Sequence, residues 1–352
     1  MKHIAAIDGL RALAVSGVLV AHYIPEGAHI HVLPWGSLGV QLFFVLSGYL
    51  ITRILIESAD LEGPGRHRKI LKSFYARRFL RISPPYYLLL GLLVILGLQR
   101  DPAAMAASFF YVINFLEAAN PQGSYAHLGH LWTLCIEEQF YLFWPWLALL
   151  LPRRFLPSVT LGLVGFALIS RFLLLSAGWD YLSVRNMPTS QLDALAGGSL
   201  LAQFHTGVIP RWADGWQRRG RALLWSALTV YLCIELIPVL GALKPTLGIF
   251  ASAVFFIGVV DHTARGTLHP SLRWLESKPC VFVGKISYGI YLYHFISLIV
   301  LYKIISLMNA ASAFANPWLF VPAWTACTLM LATLSSQFFE RPILRLKRYF
   351  PY

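Results

Sequence analysis

Apolar runs long enough to cross lipid recur from one end of this 352-residue chain to the other, and that recurrence restricts the fold more than any single motif. A lipid interior offers no partner to a backbone N–H or C=O, so a crossing segment must satisfy its own backbone, and helices do so. About 20 predominantly apolar residues make one crossing. Ten such runs are read at 4–24, 35–56, 82–98, 130–151, 156–175, 188–206, 222–240, 246–262, 282–305 and 318–339, while 103–117 is short and predicts a re-entrant or interfacial helix. Charged residues make up 13% of the chain, against about 25% in soluble domains. No stretch is left over for a soluble domain and no repeat period is visible. The expected fold is therefore an all-α membrane protein, a bundle of about ten transmembrane helices. Residues 1–352 are expected to form a single transmembrane domain without an appended soluble domain.

The net charge is +13, and its distribution informs more than its size. Basic residues gather in alternate loops: Arg66, Arg68, Lys69, Lys72, Arg77, Arg78 and Arg81, then Arg153 and Arg154. They continue with Arg211, Arg218, Arg219 and Arg221, then Arg265, Arg273 and Lys278, and finally Arg341, Arg345, Lys347 and Arg348. The intervening loops offer little beyond Arg100, Arg185 and Lys244. The positive-inside rule then predicts both termini in the cytoplasm and an even number of spans. Because the charges flank apolar spans, the high pI does not mark a nucleic-acid binder. Asp8 and Arg11 interrupt the first apolar run and no small-x-small cleavage pattern follows, so this segment is expected to be retained rather than cleaved as a signal peptide. Cys135, Cys233, Cys280 and Cys327 show no redox or metal spacing and read as packing residues.

Arg11 and His22 lie in the first span. Eleven helical steps of about 100° return to within about 20° of the start and advance about 16 Å. The two side chains are thus expected on one face, Arg11 near a membrane surface and His22 about halfway across. Ionisable groups at lipid depth are costly and point to function. Histidine can take and return a proton near neutral pH, whereas a hydrogen-bonded core histidine is the plainer alternative. Asp8, one turn before Arg11, can pair with it; the pair either orients the helix or leaves the guanidinium to meet an anion.

Two further clusters hold chemistry. Arg77, Arg78 and Arg81 stand where the chain re-enters the membrane before Pro84, and guanidinium groups one turn apart can grip phosphate in forked fashion. Topology determination would also place basic residues there. The run from His130 to Tyr141 sets Glu137, Glu138 and Gln139 in the outer part of the fourth span, where they need partners or a wet cavity. One carboxylate could orient His22 by accepting its second ring proton, or the group could simply join helices. Ser47 and Gly48 are small enough to let another helix approach closely. His294 is either a pore-facing partner or a core residue. His29, His31, His127 and His130 match no zinc spacing, so no metal is expected.

These motifs resemble the acyltransferase-3 family of integral membrane O-acyltransferases. The resemblance rests on Arg11-x10-His22, on Leu42 to Ile51, on Arg77 to Pro84, on His130 to Tyr141, on Ser287 to His294 and on Phe339 to Pro342, which fall in the family's order over nearly the whole chain. It implies a multi-pass protein of the bacterial inner membrane that transfers an acyl group, often acetyl from acetyl-CoA, to a hydroxyl of a carbohydrate. Surface polysaccharide, lipopolysaccharide, peptidoglycan and macrolide acceptors occur in the family. Carried over by position, the resemblance makes His22 the catalytic base with Arg11 its partner. It gives Arg77, Arg78 and Arg81 the donor phosphates and makes Glu138 the functional carboxylate. Many relatives add an esterase-like domain; without one, this bundle is expected to finish the transfer alone or with a separate extracytoplasmic transferase partner. The alternative from another class is a glycolipid or polysaccharide transporter or flippase, although no matching pair of broken helices supports it.

Overall fold

The computed structural model describes residues 4–25, 27–60, 65–121, 123, 125, 127–209, 214–267, 269–308 and 316–352, apart from the side chains of 214–219. Of the basic pattern, Arg211 lies outside the described residues, as do the side chains of Arg218 and Arg219. The described residues form helices joined by turns, with no strand among them. Seven helices are long and apolar enough to cross a membrane by length and composition: Ala5–Tyr23, Trp35–Ala59, Arg66–Ile95, Leu156–Ser176, Pro238–Ala264, Ser287–Leu307 and Pro317–Tyr349. The other three expected crossings are helical but differ in kind. Trp132–Leu150 holds two glutamates and a glutamine, Asp214–Leu236 opens on a polar, arginine-rich stretch, and Leu192–His205 has 14 residues, a rise of only about 21 Å. The short apolar stretch at 103–117 forms two helices, Pro102–Phe109 and Ile113–Ala119, neither of them long enough to span.

Helix α2 (Trp35–Ala59) organises the bundle. It packs on α1 (Ala5–Tyr23), on α3 (Arg66–Ile95), on α6 (Trp132–Leu150), on α9 (Leu192–His205) and on α11 (Ile249–Ala264). Its contact with α9 is backbone on backbone. A Cβ at Gly48 would collide with the Leu195 carbonyl, and one at Gly198 with the Val45 carbonyl. Such bare contact lets two helices approach closely where hydrophobic burial gives little drive for association. Ser199 crosses the seam, its hydroxyl donating to the Leu195 carbonyl at 2.9 Å and the Gly48 carbonyl at 3.3 Å. Close approach at Ser47-Gly48 is therefore realised, against α9.

A fully buried ion pair ties α7 (Leu156–Ser176) to α9. Arg171 donates to Asp193 Oδ2 and to the Ser190 carbonyl, both at 2.6 Å, and both charged side chains are sealed from solvent. The described ends of the chain meet at one end of the bundle. Ile4 lines the same cavity as Arg78 and Arg81. On the same helix α3, Ser73 and Arg77, two turns and one turn before Arg81, bind the carbonyls of Pro351 and Phe350 at 2.5 and 3.1 Å.

Two substitutions test this frame by melting of the purified protein in detergent. Gly198→Ala forces α9 off α2 and is expected to cost about 1–3 kcal/mol. Arg171→Leu strands a buried carboxylate and is expected to cost about 3–5 kcal/mol, most of it recovered when Asp193→Leu is added.

Candidate active site

The polar groups that the sequence scatters over five helices converge on one cavity of about 320 Å³. Its walls come from α1, α2, α3, α6 and the start of α13 (Ser287–Leu307). Along α2 the lining runs from Arg53 to Val40, about 20 Å at the rise of a helix. Four arginines face this space, Arg11, Arg53, Arg78 and Arg81, against two carboxylates, Asp8 and Glu137. Arg53 is answered by Glu57 at 2.7 Å and also donates to the Tyr49 hydroxyl at 2.8 Å. The guanidinium of Arg78 lies over the Tyr141 ring at 5.3 Å, and the Tyr141 hydroxyl is hydrogen-bonded to Ser47. Behind Tyr49, His205 joins it at 3.0 Å and Asp261 at 2.7 Å, with Arg265 on the same carboxylate at 2.7 Å.

At the far end the cavity stops at Thr133 and Tyr291. The Tyr291 hydroxyl donates to the His130 carbonyl at 2.6 Å and shares a 2.6 Å hydrogen bond with Thr133. Beyond them lies a layer of imidazoles. His22 stacks on His294 with ring centroids 4.9 Å apart, and His294 meets His130 edge-on at 4.8 Å. The backbone sets two of these tautomers: His294 Nδ1 donates to the Tyr291 carbonyl at 2.6 Å and His130 Nε2 to the Leu292 carbonyl at 3.3 Å.

Arg11, Arg78 and Arg81 are thus brought together. Arg77 is not in that cavity: it holds the Phe350 carbonyl and lies under the Tyr352 ring at 4.9 Å. His22 shares one unbroken helix with Arg11 and stands in the last turn of α1. The helix begins at Ala5 and ends at Tyr23, which puts His22 at the opposite end, exposed. Among the described residues no carboxylate bonds to it, and the rings of His294 and Phe295 lie beside it. Glu137 faces the cavity, whereas Glu138 stands outside its lining with Oε1 unpartnered among the described residues. Among those residues no group of histidine, cysteine or carboxylate side chains is arranged to hold a metal ion. Sequence reading missed Arg53 and the His205–Asp261 pair. An arginine interrupting the second apolar run was the available signal for the first; nothing linked His205 to Asp261 across 56 residues.

Comparison with known proteins fits this geometry, an arginine-bearing cavity inside a helical bundle. A family model described as an acyltransferase domain matches residues 4–336. The chain belongs to the acyltransferase-3 family. It is 31% identical to the peptidoglycan O-acetyltransferase OatA of Listeria monocytogenes, covering 97% of this chain and 56% of that protein. A Bacillus subtilis protein, YrhL, provisionally named a peptidoglycan O-acetyltransferase, is 30% identical over 97% of this chain and 55% of its own length. A Staphylococcus aureus (strain COL) protein provisionally named an O-acetyltransferase is 29% identical, covering 97% and 57%. The chain spans somewhat more than half the length of these curated relatives. No solved structure matches it.

One carboxylate near the far end gives a pH test. Glu117 on α5 (Ile113–Ala119) is 5% exposed, and its Oε2 accepts from Asn186 at 3.2 Å. Burial pushes its carboxyl up to about 8, opposed by Arg185. The folded protein then keeps a proton that the unfolded chain releases. That contribution is complete below about pH 4 and is lost as pH rises through about 8. Melting in detergent is expected to show stability falling by up to about 1.4 kcal/mol per pH unit over this range, and Glu117→Gln to flatten the fall.

Proposed function

We propose that the protein is an integral membrane O-acyltransferase that takes an acyl group, acetyl above all, from acyl-CoA and places it on a hydroxyl of a carbohydrate acceptor. The observation that bears most weight is the cavity with four arginines and two carboxylates, of about 320 Å³ and running along about 20 Å of α2. Its excess of positive charge calls for an anion, and its length suits a slender arm projecting from that anion. The names of the relatives favour acetyl transfer to a surface glycan. In this reading the chain crosses a bacterial cytoplasmic membrane ten times with both termini inside, as the basic loops indicate. Acyl-CoA enters at the end that holds the termini.

Arg78 and Arg81 grip the donor phosphates, with Arg77 at the rim beside the C-terminal segment. Arg11 and His22, about 16 Å apart along α1, cannot serve one carbonyl, so Arg11 belongs with the donor and His22 with the acceptor. Glu137 balances part of the guanidinium charge, and Glu138, next to it on α6, stands outside the lining. His22 takes the proton of the acceptor hydroxyl as its oxygen attacks the acyl carbon. The carbon–sulfur bond breaks, and the leaving CoA thiolate is protonated, so that acyl-CoA and alcohol become ester and free CoA. General-base assistance of this kind contributes about 10²–10⁴-fold.

The test is release of free CoA from acetyl-CoA by purified protein in detergent. His22→Ala is expected to lower kcat about 10²-fold or more, with acetyl-CoA binding kept. Arg81→Gln, losing a charge-assisted hydrogen bond of about 1.5–3 kcal/mol, is expected to weaken donor binding at least about tenfold. A wild-type protein that neither binds nor turns over acetyl-CoA sinks the proposal in favour of a transporter.

A further inference from the structure

A second, smaller pocket of about 40 Å³ lies at the far end of the bundle, and its lining is unlike that of the main cavity. Gln41, Trp132, Arg185, Tyr231, Glu235 and Lys244 face it, drawn from α2, α6, α8 (Tyr181–Asn186), α10 (Asp214–Leu236) and the turns after α10. Two of the three cations that the sequence places in the sparsely charged loops, Arg185 and Lys244, meet here. They differ in state. Lys244 is paired with Glu235 at 2.9 Å. Arg185 has no ion pair among the described residues; its guanidinium lies over the Trp132 ring at 4.9 Å and touches Asn186 Oδ1 at 3.5 Å.

Two buried polar atoms here lack partners among the described residues. Gln41 and Tyr231 are each 5% exposed, yet Gln41 Oε1 and the Tyr231 hydroxyl make no hydrogen bond. The Gln41 amide is held in place, its Nε2 donating to Gln191 Oε1 at 2.7 Å. Leaving such groups unsatisfied costs about 1–3 kcal/mol each, so the site is built for a ligand with hydroxyl donors. An aromatic ring, a fixed amide and a carboxylate beside a cation suit a sugar with a negative charge.

The pocket is also placed where an acceptor must be. Val40 lines both this pocket and the main cavity, and Trp132 here adjoins Thr133 there. The first turns of α2, which form its rim, pack on the end of α1 that holds His22: a Cβ at Gly36 would press on Ala21. A water-sized group needs about 10–15 Å³ of such volume, so 40 Å³ takes about three, the size of a carboxylate head rather than a whole ring.

We propose that this pocket is the acceptor subsite and that it receives a carboxylate substituent of an anionic carbohydrate, gripped by Arg185 and flanked by Trp132, Gln41 and Tyr231. The inference rests on the O-acyltransferase reading for its link to catalysis, but not for the binding itself. It is tested by equilibrium binding of glucuronic acid, glucose and neutral glucuronamide to the full chain in detergent. Glucuronate is expected to bind at least about tenfold more tightly than either neutral sugar, as fits a charge-assisted contact. Arg185→Gln is expected to erase that preference, and Arg185→Lys to keep part of it. Equal binding of the three sugars overturns the proposal, as does an undiminished preference in folded Arg185→Gln. Should Arg185→Gln fail to fold, the comparison of glucuronate with glucuronamide on the wild-type protein decides alone. Acetyl-CoA turnover on the same preparation separates the two readings. Carboxylate-selective binding without turnover removes the enzyme and leaves the subsite, while turnover without selectivity does the reverse.

Discussion

Lipid gives a guanidinium nothing to bind, so every arginine set within a span has to find its answer in protein or in a ligand. Arg171 finds it in protein: Asp193 and the Ser190 carbonyl each take one of its terminal nitrogens. Arg53 finds most of it in Glu57. Arg11, Arg78 and Arg81 face a shared space in which Asp8 and Glu137 supply the opposing charge, and the surplus is positive. That imbalance sets this space apart from the closed Arg171–Asp193 pair, and it is the ground on which the proposed donor site rests.

The wall of that place must not move. Helix α2 supplies the longest side of the cavity and the edge of the smaller pocket, and it is locked to α9 through bare backbone at Gly48 and Gly198. Close packing of this kind leaves no side chain to slide or re-pack. The hydrogen-bonded series from Arg53 through Tyr49, the neighbour of Gly48, and on through His205 to Asp261 ties the same stretch of helix to α11. A rigid α2 keeps Val40 and Arg53, and so the two ends of the site, at a fixed separation.

Much of this was legible in the sequence, and what was not has physical causes. Hydropathy located the helices, because lipid demands apolar runs; it did not show that the run at 188–206 would open as a 3-10 turn, Pro188–Gln191, before the 14-residue α9. Periodicity put Arg11 and His22 on one helix, whereas only the bounds Ala5–Tyr23 show that His22 stands in its last turn. Spacing showed that Arg77, Arg78 and Arg81 share a helix without showing that the C-terminal segment would occupy Arg77. Adjacent carboxylates point about 100° apart on a helix, so only the packing of α6 could reveal that Glu137, and not Glu138, lines the cavity. The pocket around Arg185 joins residues from Gln41 to Lys244, a tertiary coincidence that no local pattern foretells.

The partition at Thr133, Tyr291 and His130 has a further consequence. A tunnel open from face to face would let protons and salt run down their gradients, and the cell would lose stored electrochemical work at every copy of the protein. Here the tunnel ends on interlocked hydroxyls and a carbonyl, backed by a stacked pair of imidazoles. The main cavity is therefore closed off from the histidine layer, and an acyl group carried along it can meet an acceptor beside His22 only when the Thr133–Tyr291 contact parts.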